Sequence, residues 1–371
     1  MRRLLGSLVV ATVLLSCPGD AWSQGRWSAE KATGWARDQG WLVGANYIPR
    51  TAINQLEMWQ AESFDPKTID QELGWAHEIG FNSARVFLHD LLWQQDSVGL
   101  LKRMDEFLAI ADGHEIGIMF VLLDGVWNPE PHLGRQPDPK PHTHNSGWVQ
   151  SPGAAFLQDS ARYDRLAPYI TGVMRRFRND RRVVAWDLFN EPDNSDRILD
   201  DKAKPVVALA LLRKVVGWAR AVDPTQPLTV GVWWGEWSDA ARWAPIQRFS
   251  IENSDVVSFH QYGDSAAMRK SIAALRPLGR PMVCTEYMAR HQGSTFATVL
   301  PVLAELGVGA INWGFVSGKT QTIFPWDSKT KPYPDDPTPW FHDLLRPNGQ
   351  PHDSAETALI RRLTSERRSR P

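Results

Sequence analysis

Apolar and polar positions along this chain fall into two alternating kinds of segment. Short apolar runs rich in β-branched residues lie at 42–48, 83–88, 116–123, 183–189, 228–233, 256–260, 282–285 and 310–315. Longer stretches between them carry apolar residues at helical spacing, at 65–79, 100–114, 162–177, 204–222, 265–278, 295–306 and 355–363. In one of these, Leu101, Met104, Phe107, Leu108 and Ala111 fall on a single helical face. Asp65-Pro66 pairs a side-chain N-cap with proline at the first helical position. Eight strands alternating with helices predict a parallel sheet. The unbroken apolar run Ile118-Met119-Phe120-Val121-Leu122-Leu123 suits a strand covered on both faces. The fold class expected is α/β, a single-domain (β/α)8 TIM barrel. An open doubly wound sheet is the alternative, and no G-x-G-x-x-G follows the first strand to support it.

Two stretches break this rhythm. Residues 125–153 hold six prolines together with His132, His142 and His144, and residues 317–339 are rich in Pro and Asp. Each follows the C-terminal end of an expected strand, the face on which barrel enzymes build their sites. The first 23 residues read differently again. Arg2 and Arg3 precede an apolar run at 4–16, too short to span a bilayer, and Ala21-Trp22-Ser23 offers a small-x-small cleavage site. This predicts a signal peptide at 1–23, a catalytic domain at 24–371, and a secreted or periplasmic protein. Leu14-Leu15-Ser16-Cys17 also resembles a lipobox, which would place a lipid anchor on Cys17 and make the protein an outer-membrane lipoprotein.

Composition narrows the function. Lys plus Arg number 41 and Asp plus Glu 42, so the formal charge of −1 supplies no field for nucleic acid or an anionic membrane. Trp is abundant, 18 residues against six Tyr. That excess suits both a large core and a cleft that stacks on flat ligands such as sugar rings. Cys284 lies in the apolar run Pro281-Met282-Val283-Cys284 and is expected to be a buried strand residue without a disulfide partner.

The chemistry concentrates at strand ends. Trp186-Asp187-Leu188-Phe189-Asn190-Glu191-Pro192 is an apolar strand ending abruptly in Asn-Glu, stopped by proline. Val283-Cys284-Thr285-Glu286-Tyr287 likewise ends in Glu. A single strand-end Glu more often caps a loop or pairs with an Arg. Two of them, on the fourth and seventh of eight strands, can face each other across a barrel mouth about 5 Å apart, the spacing of retaining glycoside hydrolysis. His260 and Tyr262 are two residues apart and so share a strand face. Neither H-x-x-x-H nor H-E-x-x-H is present, so His132, His142 and His144 are read as loop residues and no metal or other cofactor is expected.

With Arg85 in Asn82-Ser83-Ala84-Arg85-Val86, Asn190-Glu191-Pro192, His260-Gln261-Tyr262, Glu286 and Asn312-Trp313-Gly314 in chain order, the sequence resembles glycoside hydrolase clan A, most closely family 5, across residues 41–364. The resemblance implies Glu191 as general acid/base and Glu286 as nucleophile. Arg85 and Tyr262 would donate to Glu286, Asn190 would bind the sugar 2-hydroxyl, His260 would orient Glu191 or touch substrate, and Trp313 would form the floor under the sugar. The family usually carries a His at the end of strand three. Here Leu122-Leu123-Asp124-Gly125-Val126-Trp127 leaves that space to Asp124 or Trp127. Glu236, in Trp233-Trp234-Gly235-Glu236-Trp237, is a further candidate substrate contact.

The expected function is a secreted retaining β-glycosidase that cleaves a β-1,4-glucan or β-mannan and acts as a monomer on an oligo- or polysaccharide. Three alternatives stand beside it. A carbohydrate-binding barrel would have lost a catalytic carboxylate. A metal-dependent hydrolase would respond to chelators. A transglycosylase would pass the covalent intermediate to a sugar.

Overall fold

The computed structural model describes residues 25–232 and 239–368. The expected signal peptide, the Cys17 anchor and Glu236 lie outside these residues. Among the described residues, no helix is long and apolar enough to cross a membrane.

Eight parallel strands form one sheet: β1 Val43–Tyr47, β2 Ser83–Phe87, β3 Gly117–Val121, β4 Val183–Asp187, β5 Leu228–Thr229, β6 Val257–His260, β7 Met282–Glu286 and β8 Gly309–Asn312. Their order is β5-β4-β3-β2-β1-β8-β7-β6. The circuit closes between β5 and β6 through the parallel bridge Val232↔Phe259 and a contact of 2.7 Å between the Thr229 and Ser258 hydroxyls. This is the (β/α)8 barrel: the last strand pairs with the first, and the β5–β6 bridge joins the two edges that an open doubly wound sheet would leave apart.

Strand parity sorts the side chains. On β2, Ala84 and Val86 join the outer apolar layer beneath the helices, while Arg85 and Phe87 point to the axis. On β3, Ile118 and Phe120 go outward and Met119 and Val121 inward. The register Asn46↔Arg85↔Met119 levels these inward positions across three strands.

The helices match the expected periodicity with adjusted ends. The stretch expected at 100–114 begins earlier, as Asp90–Gly113, with a non-helical residue at Asp96. The stretch expected at 162–177 is a 3-10 turn, Ser160–Leu166, running into Ala167–Phe177. Asp65 caps Pro66–Glu78 by accepting from the Thr68 amide. Absent from the expected elements is the helix Ala29–Gln39, which places Trp35 against Met119, Val184 and Ala185 on one side and Val256, Val283 and Ile311 on the other. One amphipathic indole thus plugs the N-terminal end of the barrel, with its Nε1 donating to the Val184 carbonyl at 3.2 Å.

Candidate active site

At the C-terminal end of the strands, the inward positions turn from apolar to charged. Arg85 is fully buried, and its guanidinium organises the floor of the mouth. Nε and Nη2 donate to Asp187 Oδ2 at 3.0 and 2.7 Å. Nη2 also donates to Asn190 Oδ1 at 2.6 Å, and Nη1 donates to Asn46 Oδ1 at 2.8 Å and to Glu286 Oε1 at 3.1 Å. A buried guanidinium is costly to desolvate, and this one is offset by two carboxylates and two amide oxygens. Gly231 leaves it room: a Cβ there would lie 3.1 Å from Arg85 Nη2 and from Asp187 Oδ2.

Glu191 follows β4 in the left-handed region, at φ +43°. A non-glycine residue is held there only when its surroundings over-determine it. Its amide donates to the Gly231 carbonyl at 2.6 Å, and its own carbonyl lies where a Cβ on Gly125 would sit, 2.2 Å away. This backbone turn aims the carboxyl across the mouth. His260 Nδ1 lies 2.6 Å from Glu191 Oε1, and Asn194 Nδ2 donates to Oε2 at 2.8 Å. Glu286 ends β7, where Tyr262 donates its hydroxyl to Oε2 at 2.7 Å. His260 Nδ1 is also 3.6 Å from that oxygen. One carboxyl oxygen each from Glu191 and Glu286, and a ring nitrogen of His260, all lie within 4.8 Å of one another.

The two carboxyls differ in their surroundings. Burial pushes Glu191 up to about 8, opposed by the Asn194 hydrogen bond and reinforced by Asp193. Burial pushes Glu286 up to about 7, where His260, Arg85 and the Tyr262 hydroxyl pull it back and Glu191 raises it. Burial, more than the second carboxylate, therefore dominates the shift of Glu191. Burial also lowers His260 to about 4, so near neutrality its ring is uncharged. The site holds one acid that keeps its proton longer and one whose ionised form is favoured by the Arg85 guanidinium and the Tyr262 hydroxyl.

The cleft above this pair has a volume of about 810 Å³. Glu191, Glu286, Asn190, Tyr262, Trp313 and Trp127 all line it. Trp313 is backed by Phe87 and Trp148, at ring-centre distances of 5.8 and 5.5 Å. Arg85 and His260 are buried behind this lining, Arg85 donating to Glu286 and Asn190 and His260 lying against Glu191. The strand-three question resolves into two parts. Trp127 faces the cleft, whereas Asp124 sits behind Asn190, accepting from its Nδ2 at 2.9 Å, from Trp148 Nε1 at 2.6 Å and from Gln55 Nε2 at 3.0 Å. Asp124 thereby fixes the amide of Asn190, whose oxygen already accepts from Arg85.

Of the loop histidines, His132 is exposed. His142 and His144 instead tie the loop after β3 to the loop after β8. His142 Nδ1 lies 2.5 Å from the Tyr333 carbonyl and His144 Nδ1 2.8 Å from that of Phe324. Of the described histidines and carboxylates, Glu191, His260 and Glu286 have the spacing to surround a cation, but Arg85 and Tyr262 already occupy both oxygens of Glu286. Several participants carried no sequence signal of their own: Asn46, Asn194, Trp148, Trp326 and Lys329. Asp187 had one, an acid at inward parity inside an apolar strand, two residues after Ala185.

Residues 141–317 match the family described as Cellulase (glycosyl hydrolase family 5). No curated protein matches the chain in sequence. Solved structures share the fold. The exo-β-1,4-mannosidase of Opitutaceae bacterium strain TAV5 superposes with a TM-score of 0.58 at 19% identity, over 90% of this chain and 61% of its own. The chain therefore spans about three fifths of that mannosidase. The endo-1,4-β-mannanase of Rhizomucor miehei gives 0.58 at 13% identity, over 89% of this chain and 96% of its own. The β-mannanase of the blue mussel Mytilus edulis gives 0.55 at 18%, over 78% and 89%. With a family match over residues 141–317, a (β/α)8 barrel and two carboxyls facing each other at the ends of β4 and β7, the chain is similar to the glycoside hydrolases of family 5.

Proposed function

We propose that the protein is a retaining β-glycosidase in which Glu191 is the general acid/base and Glu286 the nucleophile. The observation that carries this reading is the short separation of the two carboxyls, with oxygens within 4.8 Å, combined with their unequal surroundings. In the first step, Glu191 gives its proton to the glycosidic oxygen while ionised Glu286 attacks the anomeric carbon. The C–O bond to the leaving group breaks and a glycosyl ester forms. In the second, Glu191, now ionised, takes a proton from water, and the hydroxide oxygen displaces Glu286. Two inversions return the starting anomer.

Arg85 and Tyr262 hold Glu286 in place and disperse its charge. Asn190, fixed by Arg85 and Asp124, has one amide hydrogen left to donate to the sugar 2-hydroxyl. Trp313 and Trp127 offer stacking faces to sugar rings. The likeness to a mannosidase and to mannanases favours a β-1,4-mannan, with a β-1,4-glucan second. Cleavage at residue 23 would export the enzyme to where such polymers are met.

The test is hydrolysis of manno-, cello-, xylo- and laminari-oligosaccharides by the purified protein, followed by NMR of the released anomer, with and without EDTA. Retained configuration, insensitive to EDTA and lost in Glu286→Ala, is expected. Inverted product, or full activity in Glu286→Ala, overturns the assignment.

A further inference from the structure

Cations line the cleft that the catalytic pair does not use. Lys140 of the loop after β3, Arg197 of the loop after β4 and Lys329 of the loop after β8 all face it. Arg197 is paired with Glu130. Among the described residues, Asp196 is the one acid in the lining besides Glu191 and Glu286, and Lys204 neutralises it at 2.8 Å. The charges felt most strongly by Glu191 are those of Asp193, Arg85 and Lys204, and those felt by Glu286 are His260, Glu191 and Arg85. Lys140 and Lys329 are thus spare to the catalytic carboxyls.

The acids that flank these two lysines in sequence are engaged elsewhere. Asp138 pairs with Arg135 at 3.5 Å, and Asp327 pairs with Lys331 at 3.8 Å and accepts from the Tyr333 hydroxyl at 2.8 Å. Asp335 and Asp336, further along the β8 loop, do not line the cleft. Desolvation and the charge of Lys140 lower Lys329 to about 7, so its charged neighbour is a second cation. The ammonium of Lys329 is seated on an aromatic face, 2.9 Å from the centre of the Trp127 ring. Both partners are braced. Trp127 is held at φ +74° with His144 edge-on at 5.9 Å, and the short turn Trp326–Lys329 is anchored where Trp326 packs against Tyr262 at 5.0 Å and Phe341 at 4.9 Å.

Two ammoniums facing one cleft repel each other. The hydroxyls of a neutral sugar do little to offset that, whereas an oxyanion between them accepts charge-assisted hydrogen bonds from both. A basic chain would scatter such lysines at random, but this one has a formal charge of −1. We propose, resting on the glycosidase reading above, that the cleft takes a β-glycan bearing an anionic substituent, and that Lys329 and Lys140 pair with that anion on a sugar lying against Trp127. The chemistry recognised is a singly charged oxyanion, which a glycan supplies as a uronate carboxylate or as a sulfate ester.

The test compares three matched sets of β-1,4-manno- and cello-oligosaccharides: the neutral parent, the chain oxidised at primary hydroxyls to uronate, and the chain sulfated at the same positions. The reading is the ratio of kcat/KM on a charged set to that on its parent, in which losses of folded protein cancel. Wild type is expected to favour one charged set by about tenfold or more at low salt, and the set it favours names the anion. That ratio should fall as NaCl rises from about 0.02 to 0.5 M. Lys329→Met and Lys140→Met should each bring it toward one, and Lys329→Arg should retain it. Turnover of the neutral parents with a ratio at or below one for both charged sets overturns the proposal and leaves the glycosidase reading standing. A wild-type ratio that persists in Lys329→Met/Lys140→Met overturns the two lysines as its cause. Absence of turnover on all three sets overturns the glycosidase reading and this inference with it.

Discussion

At the N-terminal end of the barrel, Trp35 closes the axis against Met119, Val184, Ala185, Val256, Val283 and Ile311, and its indole donates one hydrogen bond, to the Val184 carbonyl. At the other end the same strands direct Arg85, Asp187, His260 and Glu286 at one another, all nearly inaccessible to solvent. The floor is apolar packing that lowers the free energy of folding. The mouth holds ionisable groups whose desolvation opposes folding and whose protonation states would set the proposed chemistry. The backbone follows the same division. Among non-glycine residues with positive φ, Trp127, His142, Asn145 and Glu191 lie in the mouth or its loops, and none belongs to the apolar plug.

The sharpest way to break this comparison is to remove one group from each end. Glu286→Ala is expected to lower kcat by on the order of 10⁴ or more, as loss of a covalent nucleophile does, with little loss of folded protein. Added azide should restore turnover of an aryl glycoside and give the inverted azide product. Trp35→Ala should do the reverse. It empties the plug and lowers unfolding free energy by roughly 3 kcal/mol, read by urea titration, while kcat per folded molecule stays within about twofold. A Trp35 variant that loses turnover in step with Glu286→Ala would show that the two ends are not separable.

The two ends also differed in how far the sequence disclosed them. Strand and helix periodicity, together with the strand-end Glu191 and Glu286, were readable because inward and outward positions alternate with period two and an acid in an apolar run stands out. The Trp35 plug was not, because Ala29–Gln39 precedes the first strand and its apolar face is a single indole. β5 was read too long, 228–233 against Leu228–Thr229, since an apolar run marks burial and does not say where ladder pairing stops. Asn194, Trp148 and Lys329 sit in loops, where no period exists to say which side chain turns inward. His142 and His144 looked like loop residues, and only the fold shows that the opposite loop is what they hold.

Within the mouth, pH separates the two acids. On the proposed mechanism, turnover needs Glu286 ionised and Glu191 protonated, so kcat/KM should rise through about 7 and fall through about 8. The same burial affects stability. A carboxyl whose folded-state value lies above its ordinary 4.5 binds its proton more tightly when folded, so its contribution is complete below pH 4.5 and is lost as pH rises through about 8. Glu191→Gln, which keeps the shape and cannot ionise, should therefore show a shallower loss of Tm between pH 5 and about 8.5 than wild type, along with a kcat lower by about 10²–10⁴ on substrates with poor leaving groups. An identical Tm slope in both proteins would remove burial of Glu191 as the source of the dependence.

The smallest expected effect isolates one hydrogen bond. Asn194 donates to Glu191 Oε2 at 2.8 Å and stabilises its ionised form. Asn194→Ala removes that donor without touching Glu286, Arg85 or Tyr262. Glu191 should then hold its proton to a higher pH. The alkaline limb of kcat/KM moves upward by a few tenths to about one unit, the differential worth of one hydrogen bond to a charged group, while the acid limb stays in place. A shift of both limbs together would mean that the two carboxyls titrate as one coupled unit, with the proton shared between them, and that Asn194 tunes the pair as a whole. A downward shift of the alkaline limb would mean that Asn194 favours the protonated acid, reversing the sign assigned to the contact and leaving burial alone to set when Glu191 gives up its proton.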